Sequence, residues 1–248
     1  MPGLVQIYGR TGCGPGDSGL LPNKFLPGLS LWLRSDLGIS TVSGLVASWA
    51  DQSPMGNGCS QATAALRPTY NPSGGLKNLP YLVGGAGPVM LSSTTNVVPS
   101  DHDRTVWIVM TVGTGNPSGL FEFKLASPYC ALYIEDQVSG PAYIYSDGVT
   151  LSINQTNKLV NVGESHLLEY DLSTTSNVAL YIDGNICTLD HASNMPTEAG
   201  GSAGYQVLAS YVPFLGNFYE VIVIDHLATV FERALVNAYV QARYGSTL

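Results

Sequence analysis

Charge is what this sequence has least of. Only 11% of its 248 residues are Asp, Glu, Lys or Arg, against roughly a quarter in an ordinary soluble domain. The 10 Lys and Arg are outnumbered by 18 Asp and Glu, giving a formal net charge of −8 with no basic run anywhere. Nucleic acid and anionic membranes are both held by clustered cations, so neither is expected as a partner. Long apolar runs are missing too, and nothing approaches the roughly 20 residues of a membrane helix. The opening Met-Pro-Gly-Leu-Val has neither the basic start nor the apolar stretch of a secretory leader, so synthesis and folding in a cytoplasm are expected. Cysteine is scarce and scattered. Cys13, Cys59, Cys130 and Cys187 form no CxxC and no zinc spacing, which predicts four reduced thiols. His102, His166, His191 and His226 are equally dispersed, with no HExxH, and Asp101-His102-Asp103 reads as a solvated loop. No metal site is therefore expected from side chains.

What is abundant is punctuation. Glycine (28) and proline (15) break a 45% hydrophobic chain into many short apolar runs, the pattern of an all-β sandwich of many strands. Residues 1–28 read as an extended N-terminal arm, because Gly and Pro crowd it. That arm still carries Leu4, Ile7, Tyr8, Leu20, Leu21, Phe25 and Leu26, too much apolar surface to leave in water, so it is expected to dock. The docking partner is a neighbouring subunit, another protein of an assembly or its own domain. From Leu29 onward strand follows strand. Arg104–Val112 places Val106, Ile108 and Met110 on one face and Trp107 and Val109 on the other, which predicts a central strand covered on both sides. Leu120–Leu125 turns Phe121 and Phe123 inward. His166–Leu172 sets Leu168, Tyr170 and Leu172 against Glu169 and Asp171. Asn177–Ile182 leads into Asp183-Gly184, a type I′ hairpin signal. One helix, 229–244, closes the chain: Thr229 and Glu232 form a capping box, and Phe231, Leu235, Ala238 and Ala242 make the apolar stripe expected to dock it.

Three stretches carry a resemblance. They are Leu31-Trp32-Leu33-Arg34-Ser35-Asp36 with Val46-Ala47-Ser48-Trp49-Ala50-Asp51-Gln52-Ser53, then Gly56-Asn57-Gly58 through Pro80, and last Phe218–Asp225 with Ala242-Arg243-Tyr244-Gly245. In that order the chain resembles the laminin-G-like, concanavalin A-like jelly-roll domains of bacterial surface proteins and phage virion proteins. The resemblance implies a 29–248 antiparallel jelly-roll sandwich that binds carbohydrate or protein, with a rim calcium ion in some members. Carbonyl ligands leave no trace in a sequence, so the calcium stays open. The missing leader, the apolar arm, the low charge and a jelly roll filling nearly the entire chain point to a phage virion surface protein, in the head or tail, touching host glycans; the arm points to a homo-oligomer, with a trimer favoured. A stand-alone carbohydrate-binding module and a glycoside hydrolase or lyase of the same fold are the alternatives.

The hydrolase alternative needs two opposed carboxylates. Glu169-Tyr170-Asp171 lacks the third member of a Glu-x-Asp-x-Glu strand, and Glu220 and Asp225, five positions apart, should face opposite ways. Gly14–Gly19 matches GxGxxG without a strand before it or a helix after it, and Gly200–Gly204 matches GxSxG with a strand, not a helix, following. A non-catalytic chain without cofactor is expected. The binding candidates are Tyr129, Tyr133, Tyr143 and Tyr145, rings with polar tips on neighbouring strands, which serve either a sugar surface or ordinary sandwich packing. If the cytoplasmic reading holds, thiol titration of the denatured, unreduced protein counts four; a count of zero overturns it.

Overall fold

The structure is a computed structural model that describes residues 21–84, 90–98, 102–113, 118–123, 129–134, 139–147, 152–190, 204–208 and 214–245. For residues 118, 129–131, 133, 139–147 and 152–159 it describes the backbone alone. The strands are β1 (Leu29–Arg34), β2 (Ile39–Val42), β3 (Leu45–Trp49), β4 (Cys59–Ser60), β5 (Thr69–Asn71), β6 (Tyr81–Val83), β7 (Leu91–Ser93), β8 (Arg104–Thr111) and β9 (Ser118–Phe123). They continue as β10 (Tyr129–Ile134), β11 (Ser139–Asp147), β12 (Ser152–Asn161), β13 (Ser165–Leu172), β14 (Ala179–Ile182), β15 (Asn185–Ile186), β16 (Tyr205–Val207) and β17 (Asn217–Ile224). Helix α1 (Pro22–Phe25) precedes them and α2 (Val230–Tyr244) follows.

Every strand pairing is antiparallel. One layer runs β15-β14-β13-β8-β17-β1. The other runs β7-β16-β9-β10-β11-β12, and β2 to β6 bridge the two. The expected all-β antiparallel sandwich is therefore what forms. Its main core lies between the layers, where Val106, Ile108 and Met110 of β8 meet Phe121 and Phe123 of β9, Leu132 of β10 and Tyr205 of β16. Trp107 and Val109, on the opposite face of β8, belong to a second core with Trp32, Ile222 and Ile224, roofed by Val236, Tyr239 and Val240 of α2. Strand β8 is thus buried on both sides, as its two-sided alternation predicts.

The helix is capped as the sequence predicts. Thr229 accepts from the Glu232 amide, Glu232 reaches back to the Thr229 amide, and Gly245 at φ 110° ends the helix. Its buried face is not the expected one. Phe231 is 70% exposed and Leu235 only half-buried, while Glu232, Val236, Tyr239, Val240, Arg243 and Tyr244 face the sheet. The stripe is rotated by about one residue, roughly 100°, because polar partners on the sheet select the face. Glu220 of β17 is fully enclosed beneath the helix and accepts from Trp32 Nε1, Tyr239 OH at 2.8 Å and Tyr244 OH. Burial and the neighbouring carboxylate push both phenols well above their ordinary range, so they stay protonated and donate. Arg34 and Arg243, both buried, share Asp36: Arg34 forks onto it at 3.1 and 3.0 Å, and Arg243 reaches it at 2.6 Å. The Arg243 Nε lies 3.7 Å from Glu220. Two cations and two carboxylates therefore balance in an enclosed site, the condition under which buried charge is tolerated.

Farther along the helix, Arg233 bridges Glu169 at 2.5 Å and Asp171 at 2.7 Å, and its guanidinium lies over the Tyr181 ring. Glu169 and Asp171 are thus buried beneath α2 instead of turned to solvent.

The expected arm boundary at residue 28 falls inside a packed segment. Leu21 and Leu26 are buried in the helix-side core with Phe25 half-buried against it, so these three serve their own domain. Proline here does not prevent a helix: Pro22 occupies the first turn of α1, where its missing N–H costs nothing. Leu4, Ile7, Tyr8 and Leu20 lie outside the described residues.

Two measurements test this packing. Val236→Ala is expected to lower stability by about 2 kcal/mol, and by more than Leu235→Ala; a larger cost at Leu235 would return the helix to its aliphatic stripe. Burial, then the adjacent Asp171, push the Glu169 carboxyl up to about 7 against the pull of Arg233, and burial alone does the same to Glu122. Both groups bind their proton more tightly folded than unfolded, so stability falls as pH rises from about 4.5 through about 7 and stays low above that. Thermal melts from pH 5 to 8 should show that decline, and Glu169→Gln should flatten it; an unchanged slope in the variant refutes the assignment.

Candidate functional site

A polar cleft opens at the end of the β13 layer, between the β12–β13 turn and the β14–β15 hairpin. Its volume is about 430 Å³, and Gly163, Glu164, Ser165, His166 and Asp183 line it. The two turns that frame it are dictated by sequence. Gly163 takes φ 86° in the first. Asp183 at φ 53° and Gly184 at φ 74° make the second, two successive left-handed residues as a type I′ hairpin requires. That hairpin aims the Asp183 carboxylate back at β13, where Oδ1 accepts from the Leu167 amide at 2.9 Å and Oδ2 meets His166 Nδ1 at 2.9 Å.

A carboxylate only accepts, so the imidazole donates from Nδ1 and Asp183 fixes the ring's orientation. His166 is 7% exposed. Its Nε2 has no hydrogen-bond partner among the described residues and stands 3.6 Å from Glu164 Oε2, beyond hydrogen-bond length. Glu164 is itself steadied by Asn161 Nδ2 at 2.9 Å. Ser165 Oγ, on the opposite pleat, is engaged with Thr111 Oγ1 at 2.7 Å. The cleft therefore presents carboxylate oxygens and an imidazole nitrogen with one buried valence unfilled. Such a set suits a ligand rich in hydroxyl groups, which both donate and accept hydrogen bonds.

The sequence-predicted binding residues lie on a different ribbon. Tyr129 and Tyr133 fall on β10, Tyr143 and Tyr145 on β11, and backbone register pairs Tyr133 with Tyr143 and Ala131 with Tyr145. Their side chains lie outside the described residues, as do the GxGxxG stretch and most of Gly200–Gly204. His166 was legible only as one of four scattered histidines. The usable signal was Asp183-Gly184, which reads as a turn and is also the carboxylate that orients the ring.

The stretches carrying the family resemblance come together elsewhere and do structural work. Trp32, Arg34, Asp36, Glu220, Arg243 and Tyr244 are the enclosed charge cluster beneath α2. Asp51 organises the following loop: Oδ1 accepts from the Trp32 and Ser53 amides and Oδ2 from the Asn57 amide, all at 2.7–2.8 Å. Asp103 likewise ties down the 173–176 turn through Thr174. Among the described residues no group of three or more His, Cys, Asp or Glu is arranged to hold a metal ion. Cys59 and Cys187 are free thiols, and burial pushes the Cys59 thiol up to about 12.

No protein-family model and no curated protein matches the chain. Solved structures do. The fold is similar to domain 4 of AbnA, a GH43 extracellular arabinanase from Geobacillus stearothermophilus, in complex with arabinotriose: TM-score 0.59, 13% identity, 84% of this chain and 97% of that one. It is similar to the binding domain of Paraclostridial Mosquitocidal Protein 1, with TM-score 0.62, 10% identity, 85% of this chain and 52% of that one. Trypanosoma rangeli sialidase is a third, at TM-score 0.55 and 12% identity over 88% of this chain, which spans about a third (34%) of the sialidase. At such identities the likeness is one of fold, and it identifies the chain as a jelly-roll-like antiparallel β-sandwich.

Proposed function

We propose that this chain is a non-catalytic, glycan-binding sandwich of the laminin-G-like type, carried as an oligomer on the surface of a phage particle. The observation that carries the binding reading is the unfilled Nε2 of His166, buried in a cleft lined by the Glu164 and Asp183 carboxylates. Sugar hydroxyls both donate and accept, which suits such a lining, and the cleft is large enough for a monosaccharide unit. Arabinotriose bound to the similar arabinanase domain supports the same ligand class. The non-catalytic reading is supported by the fate of the carboxylates. Glu220 is sealed beneath α2, and Glu169 and Asp171 are clamped by Arg233, so neither candidate pair stands across an open groove. The virion setting draws on the resemblance of both ends of the domain and on the low charge of the chain, and detection in purified particles tests it.

Binding is tested by titrating arabino-oligosaccharides and a glycan panel against the intact chain. A bound glycan should be recovered uncleaved. His166→Ala and Asp183→Asn, each still folded by circular dichroism, should weaken binding about tenfold, the worth of a hydrogen bond of about 1.4 kcal/mol. Undiminished affinity in both variants, with binding lost in Tyr143→Ala, moves the site to the β10–β11 ribbon. Sugar cleavage abolished by Glu169→Gln overturns the non-catalytic reading.

A further inference from the structure

Helix α2 is built inside out. Its charged residues are all engaged by their own domain: Glu232 by Thr229 and His226 in the connection before the helix, Arg233 by Glu169 and Asp171 of β13, and Arg243 by Asp36. Its solvent face carries Val230 (81% exposed), Phe231 (70%), Ala234, Ala238 and Gln241, without a single charge. A surface helix ordinarily shows the reverse arrangement. A second exposed apolar side chain, Ile186 at 68%, lies on the β14–β15 hairpin, where it pairs with Tyr181, the ring under Arg233.

We infer that residues 1–20 of the same chain cover this face. Three observations select that occupant. The segment is chemically matched: it holds Leu4, Val5, Ile7 and Tyr8, and its only charged side chains are Arg10 and Asp17. It also arrives at the right place. The chain enters the described fold at Leu21, which is buried in the same core as Val236, Tyr239 and Val240, and α1 packs directly on α2. Reach is ample, since twenty extended residues span on the order of 65 Å and a 15-residue helix is about 22 Å long. Tethering then favours the chain's own segment over a second molecule's, because a short linker holds it at an effective concentration in the millimolar range.

The full-length chain carrying the photo-crosslinker benzoylphenylalanine in place of Phe231 provides the test. Position 231 is exposed, so the substitution leaves the core untouched. Irradiation at low micromolar protein should give an adduct at monomer mass, with the crosslink mapped to residues 1–20. An adduct at dimer mass, or a monomer with no crosslink to that segment, overturns the inference. A second variant keeps the test independent of the probe. Deleting residues 2–20 should raise the fluorescence of a dye for exposed apolar surface several-fold, and Phe231→Asp in that background should reverse the rise. Dye binding unchanged by the deletion also overturns it.

Discussion

A carboxylate cut off from water decides how this sandwich closes. Glu220 sits in the middle of β17, where β1 lies on one side and the C-terminal helix passes above. Left alone there, an ionised carboxylate would cost several kcal/mol. Three donors from two different elements and two guanidiniums offset part of that cost, burial still holding the carboxyl above its ordinary range, and each can reach Glu220 only if β1, β17 and the helix are all in place. The packing of the helix, the twist of its buried face and the burial of Asp36 follow from satisfying that one group. Apolar contact around it is extensive, but it would tolerate several helix orientations; the charge cluster tolerates one.

That dependence explains what could be read from the chain beforehand. Strand β8 was legible because its two faces are both aliphatic and aromatic, so alternation alone locates it. The Asp183-Gly184 hairpin and the Thr229–Glu232 cap were legible because each is a local motif whose geometry is set by the residues themselves. The helix face was not. Hydrophobic periodicity scores Glu232 and Arg243 as outward; His226 and Thr229 hold Glu232 inward, and Asp36 with Glu220, distant in the sequence, hold Arg243. The polar cleft was hidden for a related reason: His166 and Asp183 are seventeen residues apart and meet only through the pairing of β13 with β14.

The two polar sites divide the labour of the fold. Beneath the helix, Trp32, Tyr239 and Tyr244 all aim at one carboxylate, and the site is closed. On β13, across β8 from β17, the pairing with β14 leaves the Nε2 of His166 without a hydrogen-bond partner among the described residues, and the site is open. The sandwich holds both rigidly, because His166 is backed by Met110 across the ladder and Leu168 is buried two residues on.

The neighbours β1 and β17 lie almost two hundred residues apart in the chain, and Arg243 and Tyr244 complete what Trp32 and Arg34 begin. During synthesis, the first strand must therefore wait for its partner until residue 224 has cleared the ribosome, and the charge cluster beside it until residue 244. Contacts this distant in sequence also make for slow closure. A chain cut short by even a few residues inside the last helical turn would keep Trp32 and Tyr239 on Glu220 but lose Tyr244 and Arg243, leaving a buried carboxylate short of one donor and its adjacent cation.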